Sequence, residues 1–244
     1  VRCLAEAGAR VAINYVEQPE DAHRLASELS GPGASPRAVA LEADISDEAA
    51  VERLFSAVQQ AFGGLDILVN NAGIESMYPA LNLPMSEWDR VLGINLRGAF
   101  MCARAAARLM KAQGSGGVII NISSMHDTVP RLGATHYNVS KAGMSMLTKV
   151  LALEWAEYGI RVVGVSPGAI DSGKFKGRIA NAVVRFLMKR WVPLRRIGEV
   201  GEVAQTVAFL ASDAASYITG ATLTVDGAYS LNVVRYDPRK FAAR

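Results

Sequence analysis

Gly117-Val-Ile-Ile-Asn-Ile-Ser-Ser124 and the later motif Tyr137-Asn-Val-Ser-Lys141 give the first indication of how this 244-residue chain folds. The first run is apolar and rich in β-branched residues, which favours a buried β-strand that ends on the hydroxyl of Ser124. In the second motif a phenol and an ammonium stand four positions apart, so both lie on one face of a helix. A buried strand followed by a long helix is the repeating unit of a parallel α/β sheet.

Ser124, Tyr137 and Lys141 carry side chains that can act together on one substrate oxygen. A free phenol has a pKa of about 10, and a nearby cation lowers that pKa by roughly 1 to 3 units, toward the range of a general acid or base. We therefore expect Lys141 to lower the pKa of Tyr137 while Ser124 presents its hydroxyl from the side. The three groups could bind and protonate a carbonyl oxygen while hydride arrives at the carbon. The tyrosine-lysine spacing alone is a weak signal, because it also occurs on solvated helix faces.

Short β-branched runs alternate with longer amphipathic runs along the rest of the chain. This alternation predicts a doubly wound parallel sheet with helices on both faces, a three-layer α/β/α fold. Half of the residues are hydrophobic and no linker-like segment interrupts the chain, so we expect one domain over residues 1–244. We expect strands near 11–15, 37–43, 66–70, 117–123, 161–166 and 221–226, and helices near 19–29, 47–62, 86–112, 136–158 and 200–211.

Further polar motifs stand at consistent places along this pattern. Asn70-Asn-Ala-Gly73 and Pro167-Gly168 each follow an apolar run, and Asn95 lies between them in the sequence. In a parallel sheet ligands bind beyond the carboxyl ends of the strands, so the motifs should converge on one crevice. Taken in order, the five motifs resemble those of the short-chain dehydrogenase/reductase family, over residues 1 to about 227.

That resemblance implies a Rossmann-type fold and an NAD(P)-dependent oxidoreductase that moves hydride between a nicotinamide cofactor and an alcohol or carbonyl substrate. It implies that Tyr137 is the acid/base and that Lys141 lowers its pKa and binds the nicotinamide ribose. It implies that Ser124 orients the substrate oxygen and that Asn95 holds a water in a proton relay to Lys141. The cofactor-contacting positions that it implies are Asp44, Ile45, Asn71, Ala72, Gly73, Tyr137, Lys141, Pro167, Gly168, Ile170 and Ser172.

The choice between NADP and NAD rests on Asn14 and Tyr15, which match the end of the family's second strand. An aspartate there would accept hydrogen bonds from the 2′-hydroxyl of NAD and repel the 2′-phosphate of NADP. Tyr15 does neither, and no arginine directly follows it. The site therefore suits both cofactors, with a slight preference for NADP.

The opening segment Val1-Arg-Cys-Leu-Ala-Glu-Ala-Gly8 resembles the end of a helix that, in the family, follows a strand and a glycine-rich phosphate-binding turn. Neither element precedes Val1 here, and the first residue is not Met. We therefore expect this sequence to be an incomplete copy of a longer protein. In the resembling fold that strand lies between the strands near 11–15 and 66–70, so its absence would leave two apolar edges unpaired.

Within the family, Glu75, His126 and His136 resemble the pattern of glucose 1-dehydrogenases. This likeness implies a substrate site formed by Glu75, Ser124, His126 and Tyr137, and a sugar such as glucose as the substrate. Each of the three could equally be a surface or packing residue, because a histidine beside an active site is often only a satisfied polar group.

The segment from Lys174 to Arg196 carries eight basic residues and no acidic one. We favour the solvated face of a loop and an amphipathic helix, with Phe186, Leu187 and Trp191 turned inward. The alternative is attraction of an anionic substrate or an acidic carrier protein, which would indicate a 3-oxoacyl thioester reductase. The resemblance makes residues from about 169 to 197 a substrate lid. A third hypothesis, a non-catalytic dinucleotide-binding scaffold, follows from the absent glycine-rich turn.

The composition argues against several other classes. The formal charge is only +3 and no aromatic-basic stripe accompanies the charges, so we expect no nucleic-acid partner. Apolar runs stop well short of the roughly 20 residues that span a bilayer, and no leader pattern opens the sequence, so we expect no membrane association. Cys3 and Cys102 lack metal-type or disulfide-type spacing, which predicts reduced, buried thiols in a cytoplasmic protein.

The helices near 86–112 and 136–158 carry apolar residues on more than one face. Such helices need two partners, the sheet on one side and another subunit on the other, unless a thick core buries everything within one chain. The resemblance favours the first reading and implies a homotetramer in which these helices pack against the same helices of a partner. The apolar residues concerned are Phe100, Leu109, Met110, Met144, Met146, Leu147, Val150, Leu151 and Trp155.

Overall fold

The computed structural model describes residues 1–31, 37–172 and 182–232. The strands in this part of the chain all pair in parallel. Six of them lie within one residue of the runs predicted from β-branched composition. In chain order the strands are β1 (Val11–Tyr15), β2 (Ala38–Glu42), β3 (Ile67–Asn70), β4 (Gly117–Ile122), β5 (Ile160–Pro167), β6 (Ile170–Asp171), β7 (Gly198–Glu199) and β8 (Thr222–Val225).

The strands form a four-stranded sheet, β3-β4-β5-β8, and two separate pairs, β1-β2 and β6-β7. The register places Asn70 of β3 beside Asn121 of β4 and Gly164 of β5 beside Thr222 of β8. In the part of the chain that the structure describes, β1 and β3 do not pair, and residues of both line a cavity of about 1880 Å³. These are the two open edges expected from the sequence.

Helices cover both faces of the sheet, which confirms the predicted single-domain, three-layer α/β fold. Their boundaries follow local signals. The carboxylate of Asp47 accepts a hydrogen bond from the Ala49 N–H at the start of the helix Glu48–Phe62, and Gly63 ends that helix in a left-handed conformation. The helices are α1 (Arg2–Glu6), α2 (Pro19–Ser30), α3 (Glu48–Phe62), α4 (Met85–Leu92), α5 (Ala99–Gln113), α6 (Thr135–Trp155), α7 (Ala182–Trp191) and α8 (Val200–Ala211).

One predicted helix is wrong in its continuity. The run near 86–112 is not a single α-helix, because a π-helical turn over Gly93–Gly98 separates α4 from α5. At Gly98 the backbone passes so close to the turn between β2 and α3 that a Cβ atom would lie 2.8 Å from the carbonyl oxygen of Ile45. The π turn matters for function because it carries the buried Asn95.

Apolar side chains alternate between the two faces of the central sheet. Ile119 and Val162 pack against α3, α5 and α6, whereas Val118 and Val163 pack against α8. A smaller cluster joins β1 and β2 to α2. Helices thus pack on both faces of the central strands, and polar side chains stand at the carboxyl ends of β3, β4 and β5.

Two predictions of burial need correction. Phe186 on α7 was expected to turn inward, but it is 66% exposed, while Trp191 at the end of the same helix is partly buried. Among the described side chains of this helix, Met188 and Trp191 are partly buried, whereas Phe186, Lys189 and Arg190 are exposed. Cys3 is only partly buried, whereas Cys102 is fully buried and both are free thiols. The side chain of Leu187 and residues 173–181, which include part of the predicted lid and Lys174, Lys176 and Arg178, lie outside the described residues.

Candidate active site

The carboxyl ends of β3, β4 and β5 open onto the cavity of about 1880 Å³. The structure brings most of the predicted site residues to the wall of this cavity, as expected for ligand binding at strand ends. The predicted residues on the wall are Asn14, Ile45, Asn71, Ala72, Gly73, Glu75, Ser124, His126, Tyr137, Lys141, Pro167, Gly168, Ile170 and Ser172.

Three predicted residues are not on this wall. Tyr15 is partly buried, and its hydroxyl lies 3.2 Å from Nε2 of His23 on α2. Asp44 is exposed, and its Oδ1 accepts hydrogen bonds from the backbone and the hydroxyl of Ser46. Asn95 is fully buried behind the loop that follows β3. Sequence reasoning places all three near the site but cannot tell a wall residue from one that supports the wall.

Tyr137 stands in the first turns of α6, next to Ser124 at the end of β4. Lys141 lies one turn further along, with its Nζ 5.8 Å from the centre of the tyrosine ring and 2.8 Å from the Ile122 carbonyl oxygen to which it donates. The helical spacing predicted from the sequence therefore does place the phenol and the ammonium together.

The net shift in the pKa of Tyr137 is opposite to the one expected from a neighbouring lysine alone. Burial raises this pKa above its usual value of 10.0, and the hydrogen bond from Ser124 only partly offsets the increase. The phenol loses more hydration among the packed residues of the site than nearby groups restore to its charged form. Tyr137 is consequently a neutral proton donor at physiological pH in this structure.

Asn95 uses its side chain to hold the loop after β3. Its Nδ2 donates to the Ile74 carbonyl oxygen and to the Ser140 hydroxyl, and its Oδ1 accepts from the Ile74 N–H. A Cβ atom at Gly73 would lie 3.3 Å from this Oδ1 and 3.7 Å from Nζ of Lys141. The π turn, the loop and the lysine therefore meet at Gly73, where there is little room for a side chain.

Polar contacts also hold the turn that carries Ser124. The carboxylate of Asp127 accepts hydrogen bonds from the hydroxyls of Ser123 and Ser145. His126 donates from Nδ1 to the Val129 carbonyl oxygen at 2.9 Å, because a carbonyl can only accept. In neutral His126 the other ring nitrogen, Nε2, is therefore an acceptor.

His136 is a packing residue in this structure. It is fully buried, does not line the cavity, and its Nε2 lies 2.8 Å from the Ser76 hydroxyl. Ser76 in turn donates to Glu87, whose pKa is lowered to about 2 by its hydrogen bonds from Arg90 and Ser76. Because the single Ser76 proton goes to Glu87, Nε2 of His136 is the donor, and its Nδ1 is buried without a partner among the described residues.

A chain of buried amides anchors the strands beneath the site. Asn70 donates to Asn121 across the β3-β4 pair, and Asn121 donates to Thr148 of α6. All three side chains are buried, so the polar groups must be paired within the protein. This network fixes the strand ends from which the loops of the site depart.

The structure also adds residues that sequence reasoning missed. Arg131, Met188, Trp191 and Tyr229 line the same cavity as Tyr137. Arg131 forms an ion pair with Glu75, with 2.9 Å between Nη1 and Oε2. Its position between Ser124 and Tyr137 in the sequence was the signal that could have identified it. The two residues of the pair come from loops far apart in the chain, so their contact requires the fold.

The site fits the dinucleotide implied by the sequence. The residues that line the cavity extend from Asn14 on β1 to Ser172 beyond β5, and Gly73 and Gly168 contribute no side chains to that lining. Asn71, Ala72 and Gly73 lie along the same wall. These features define a Rossmann-type dinucleotide-binding oxidoreductase with a serine, a tyrosine and a lysine at its centre.

Comparison with known proteins agrees with this description. Residues 1–230 match the family model described as Enoyl-(Acyl carrier protein) reductase. The chain is 41% identical over 224 residues to 3beta-hydroxysteroid dehydrogenase 1 of Eggerthella lenta, covering 92% of this chain and 85% of that protein. It is 40% identical over 235 residues to L-rhamnose 1-dehydrogenase (NAD(P)(+)) of Azotobacter vinelandii, covering 95% and 91%.

Two further matches connect the chain to sugar and sugar-acid dehydrogenases. Glucose 1-dehydrogenase 2 of Bacillus subtilis is 36% identical over 224 residues, covering 91% of this chain and 85% of that protein. The crystal structure of a gluconate 5-dehydrogenase from Burkholderia cenocepacia, in complex with NADP and tartrate, superposes with a TM-score of 0.85 at 33% identity, covering 94% of this chain and 89% of that one. The chain belongs to the short-chain dehydrogenase/reductase family, and it is an NAD(P)-dependent oxidoreductase that acts on CH–OH groups.

Proposed function

We propose that the protein interconverts a hydroxylated substrate, such as a sugar, and the corresponding carbonyl compound. The observation that carries this proposal is the meeting of Ser124, Tyr137 and Lys141 at one cavity wall that also includes the polar Glu75 and His126. A hydroxyl-rich substrate can donate to the Glu75 carboxylate and to Nε2 of His126. The names of the rhamnose and glucose dehydrogenases support a sugar as the substrate.

In this proposal each residue has one task. The bound nicotinamide cofactor supplies hydride in reduction and accepts it in oxidation. Tyr137 gives its phenolic proton to the carbonyl oxygen or takes one from the alcohol, and Ser124 holds that oxygen with its hydroxyl. Lys141 binds the nicotinamide ribose. Asn95 keeps its contacts to Ile74 and Ser140, and the second lone pair of its Oδ1 accepts a hydrogen bond from a water that passes protons to Lys141. The neutral state of Tyr137 suits reduction directly, whereas oxidation requires that it lose its proton first.

We propose NADP as the preferred cofactor, with NAD also accepted. The hydroxyl of Tyr15 contacts the ring of His23 at the end of β1, so no carboxylate stands at this position, where an acidic side chain would repel a 2′-phosphate. The binding of NADP by the similar gluconate 5-dehydrogenase supports this choice. Fluorescence titration with NADPH and with NADH is the measurement, and tighter binding of NADH would overturn the preference.

The second candidate is a 3-oxoacyl thioester reductase. It is favoured by the description of the matching family model and by the exposed Lys189 and Arg190 on α7, to which an acidic carrier protein could bind. Initial rates with L-rhamnose, D-glucose and a simple secondary alcohol should be compared with those of an acetoacetyl thioester. Turnover of the thioester alone would reject the sugar proposal.

We further propose a cytoplasmic homotetramer. Burial raises the pKa of the Cys102 thiol to about 12, as is usual for an inert reduced cysteine. No helix in the described residues is long and apolar enough to cross a membrane. Met146, Val150 and Leu153 leave an apolar stripe exposed along α6, which supports association through this helix.

A further inference from the structure

Glu75 and Arg131 form an ion pair on the cavity wall beside Tyr137. Glu75 lies in the loop after β3, and Arg131 lies just before α6. Their side chains are 25% and 30% exposed, so the pair is sheltered by protein yet open to the cavity. Both charges act on the Tyr137 phenol, in opposite directions, which places the pair within electrostatic reach of the reacting group.

The pair is held in place by the element that carries Tyr137. The Arg131 carbonyl oxygen accepts hydrogen bonds from Nδ2 of Asn138 and from the N–H of Ala134, at the start of α6. On the other side, Ile74, next to Glu75, is clamped by Asn95. The position of the pair relative to the phenol is therefore fixed by backbone contacts on both sides.

The contact between the two side chains leaves much of their hydrogen-bonding capacity unused. It is a single bond from Nη1 to Oε2, and Glu75 is the only side-chain partner of the guanidinium among the residues that the structure describes. A guanidinium has five N–H donors and a carboxylate has two acceptor oxygens. Arg131 thus offers unused N–H donors and Glu75 unused acceptor oxygens side by side on the cavity wall, and the pair as a whole carries no net charge.

We propose that the Glu75–Arg131 pair selects neutral, hydroxylated substrates over carboxylated ones, with Glu75 as the specificity-determining residue and Arg131 as its partner. A hydroxyl group can donate to Glu75 and accept from Arg131, so it satisfies both members without disturbing their contact. A carboxylate only accepts, is repelled by Glu75, and would have to compete with it for the guanidinium. This inference rests on the proposed function and restricts its substrates to neutral polyols and sugars.

The first test compares neutral sugars with hydroxy acids. The ratio of kcat/KM for L-rhamnose to that for gluconate should fall in Glu75→Gln by roughly 10- to 100-fold, the size of one charge-assisted hydrogen bond. Arg131→Gln should lower kcat/KM for both substrates without lowering that ratio, because the unpaired Glu75 still repels carboxylates. Glu28→Gln, which breaks the exposed ion pair between α2 and Arg2, is the matched control and should leave the ratio unchanged.

The pH profile of kcat provides a readout that a purely structural role would not move. The charged or titratable groups that face Tyr137 are Glu75, Asp127, Arg131, Lys141 and His126. Loss of the Glu75 charge lowers the pKa of Tyr137, and loss of the Arg131 charge raises it. The alkaline limb of the profile should therefore shift down in Glu75→Gln and up in Arg131→Gln, and shifts in the same direction would overturn the proposal.

A binding measurement separates this inference from the proposed function. Ligand-observed NMR with L-rhamnose and with gluconate requires no turnover. If the wild-type protein turns over no alcohol, the proposed function fails, and the pair is still judged by binding. The selective role is supported if the wild type prefers rhamnose and Glu75→Gln shifts this preference toward gluconate. Equal binding of the two ligands by both proteins rejects it.

Discussion

At the residue scale, the chemistry of the site depends on how strongly a single phenol is buried. The sequence gives the identity and spacing of Ser124, Tyr137 and Lys141 because these motifs are local. It does not give the direction of the pKa shift, because desolvation depends on everything packed around the ring. The contact between Glu75 and Arg131 was likewise out of reach, since it joins loops 56 positions apart.

Replacement of Tyr137 by Phe tests the proposed proton donor. The change keeps the ring and removes only the hydroxyl, so kcat should fall by roughly 10² to 10⁴-fold while NADPH binding is retained. Steady-state rates and fluorescence titration are the measurements. Tyr217→Phe removes a hydroxyl from a fully exposed ring and is the control. A Tyr137→Phe protein with more than about a tenth of the wild-type kcat would exclude the assignment.

His136 predicts a pH dependence of stability. Burial lowers its pKa below the ordinary value of 6.5, and a second proton would go to the buried, unpartnered Nδ1. The unfolded state therefore binds the proton more readily, and the free energy of unfolding should fall as the pH drops below 6.5. Glu87 titrates lower, between its ordinary 4.5 and about 2, so thermal melts between pH 7 and 5 isolate the histidine.

The matched variant for this prediction is His136→Gln. Glutamine can donate to Ser76 but does not titrate. Its melting temperature should change less between pH 7 and 5 than that of the wild type, whatever its absolute stability. An equal change in both proteins would show that another group causes the loss.

At the element scale, the sequence predicts where helices and strands lie but not where a helix changes its pitch. The run near 86–112 has a continuous helical pattern, yet the π turn over Gly93–Gly98 interrupts it. At Gly98 the turn lies close to the Ile45 backbone, a tertiary contact that a helical sequence pattern does not contain. Strand positions were more predictable because β4 and β5 are short apolar runs bounded by polar residues.

The two glycines at the ends of the π turn make a matched pair. Gly98→Ala would place a Cβ 2.8 Å from the Ile45 carbonyl oxygen, so it should destabilise the protein by about 1 to 3 kcal/mol. Gly93→Ala meets no atom within 4 Å and should be neutral or stabilise by up to about 1 kcal/mol. Denaturant unfolding measures both, and equal effects would contradict the close approach.

At the scale of the whole molecule, the exposed face of α6 predicts the assembly. Val139, Met146, Val150 and Leu153 fall on one stripe of the helix, opposite the buried Met144 and Leu151. The apolar residues of α6 that indicated two faces thus separate into an inner set, which includes Met144 and Leu151, and an outer set, which includes Met146 and Val150. Periodicity alone could predict both faces but not which one meets the sheet.

Leu153→Glu should dissociate the proposed tetramer. The side chain is 82% exposed in the protomer, so a charge there should weaken association and leave the fold intact. Light scattering at micromolar concentration should show a smaller mass than for the wild type. Leu81→Glu changes a fully exposed leucine away from the stripe and should keep the wild-type mass. A wild-type mass equal to one protomer would remove the assembly proposal.

The separation of β1-β2 from β3-β4-β5-β8 has a consequence for the order in which the protein opens. Among the residues that the structure describes, β1 and β3 share no ladder hydrogen bonds, so we expect the β1-β2-α2 unit of this chain to exchange its amide protons through a local opening that leaves the central sheet closed. Amides of Ile13 and Ala40 should therefore exchange with deuterium faster than those of Ile119 and Val163. Only the latter pair should report the global free energy of unfolding.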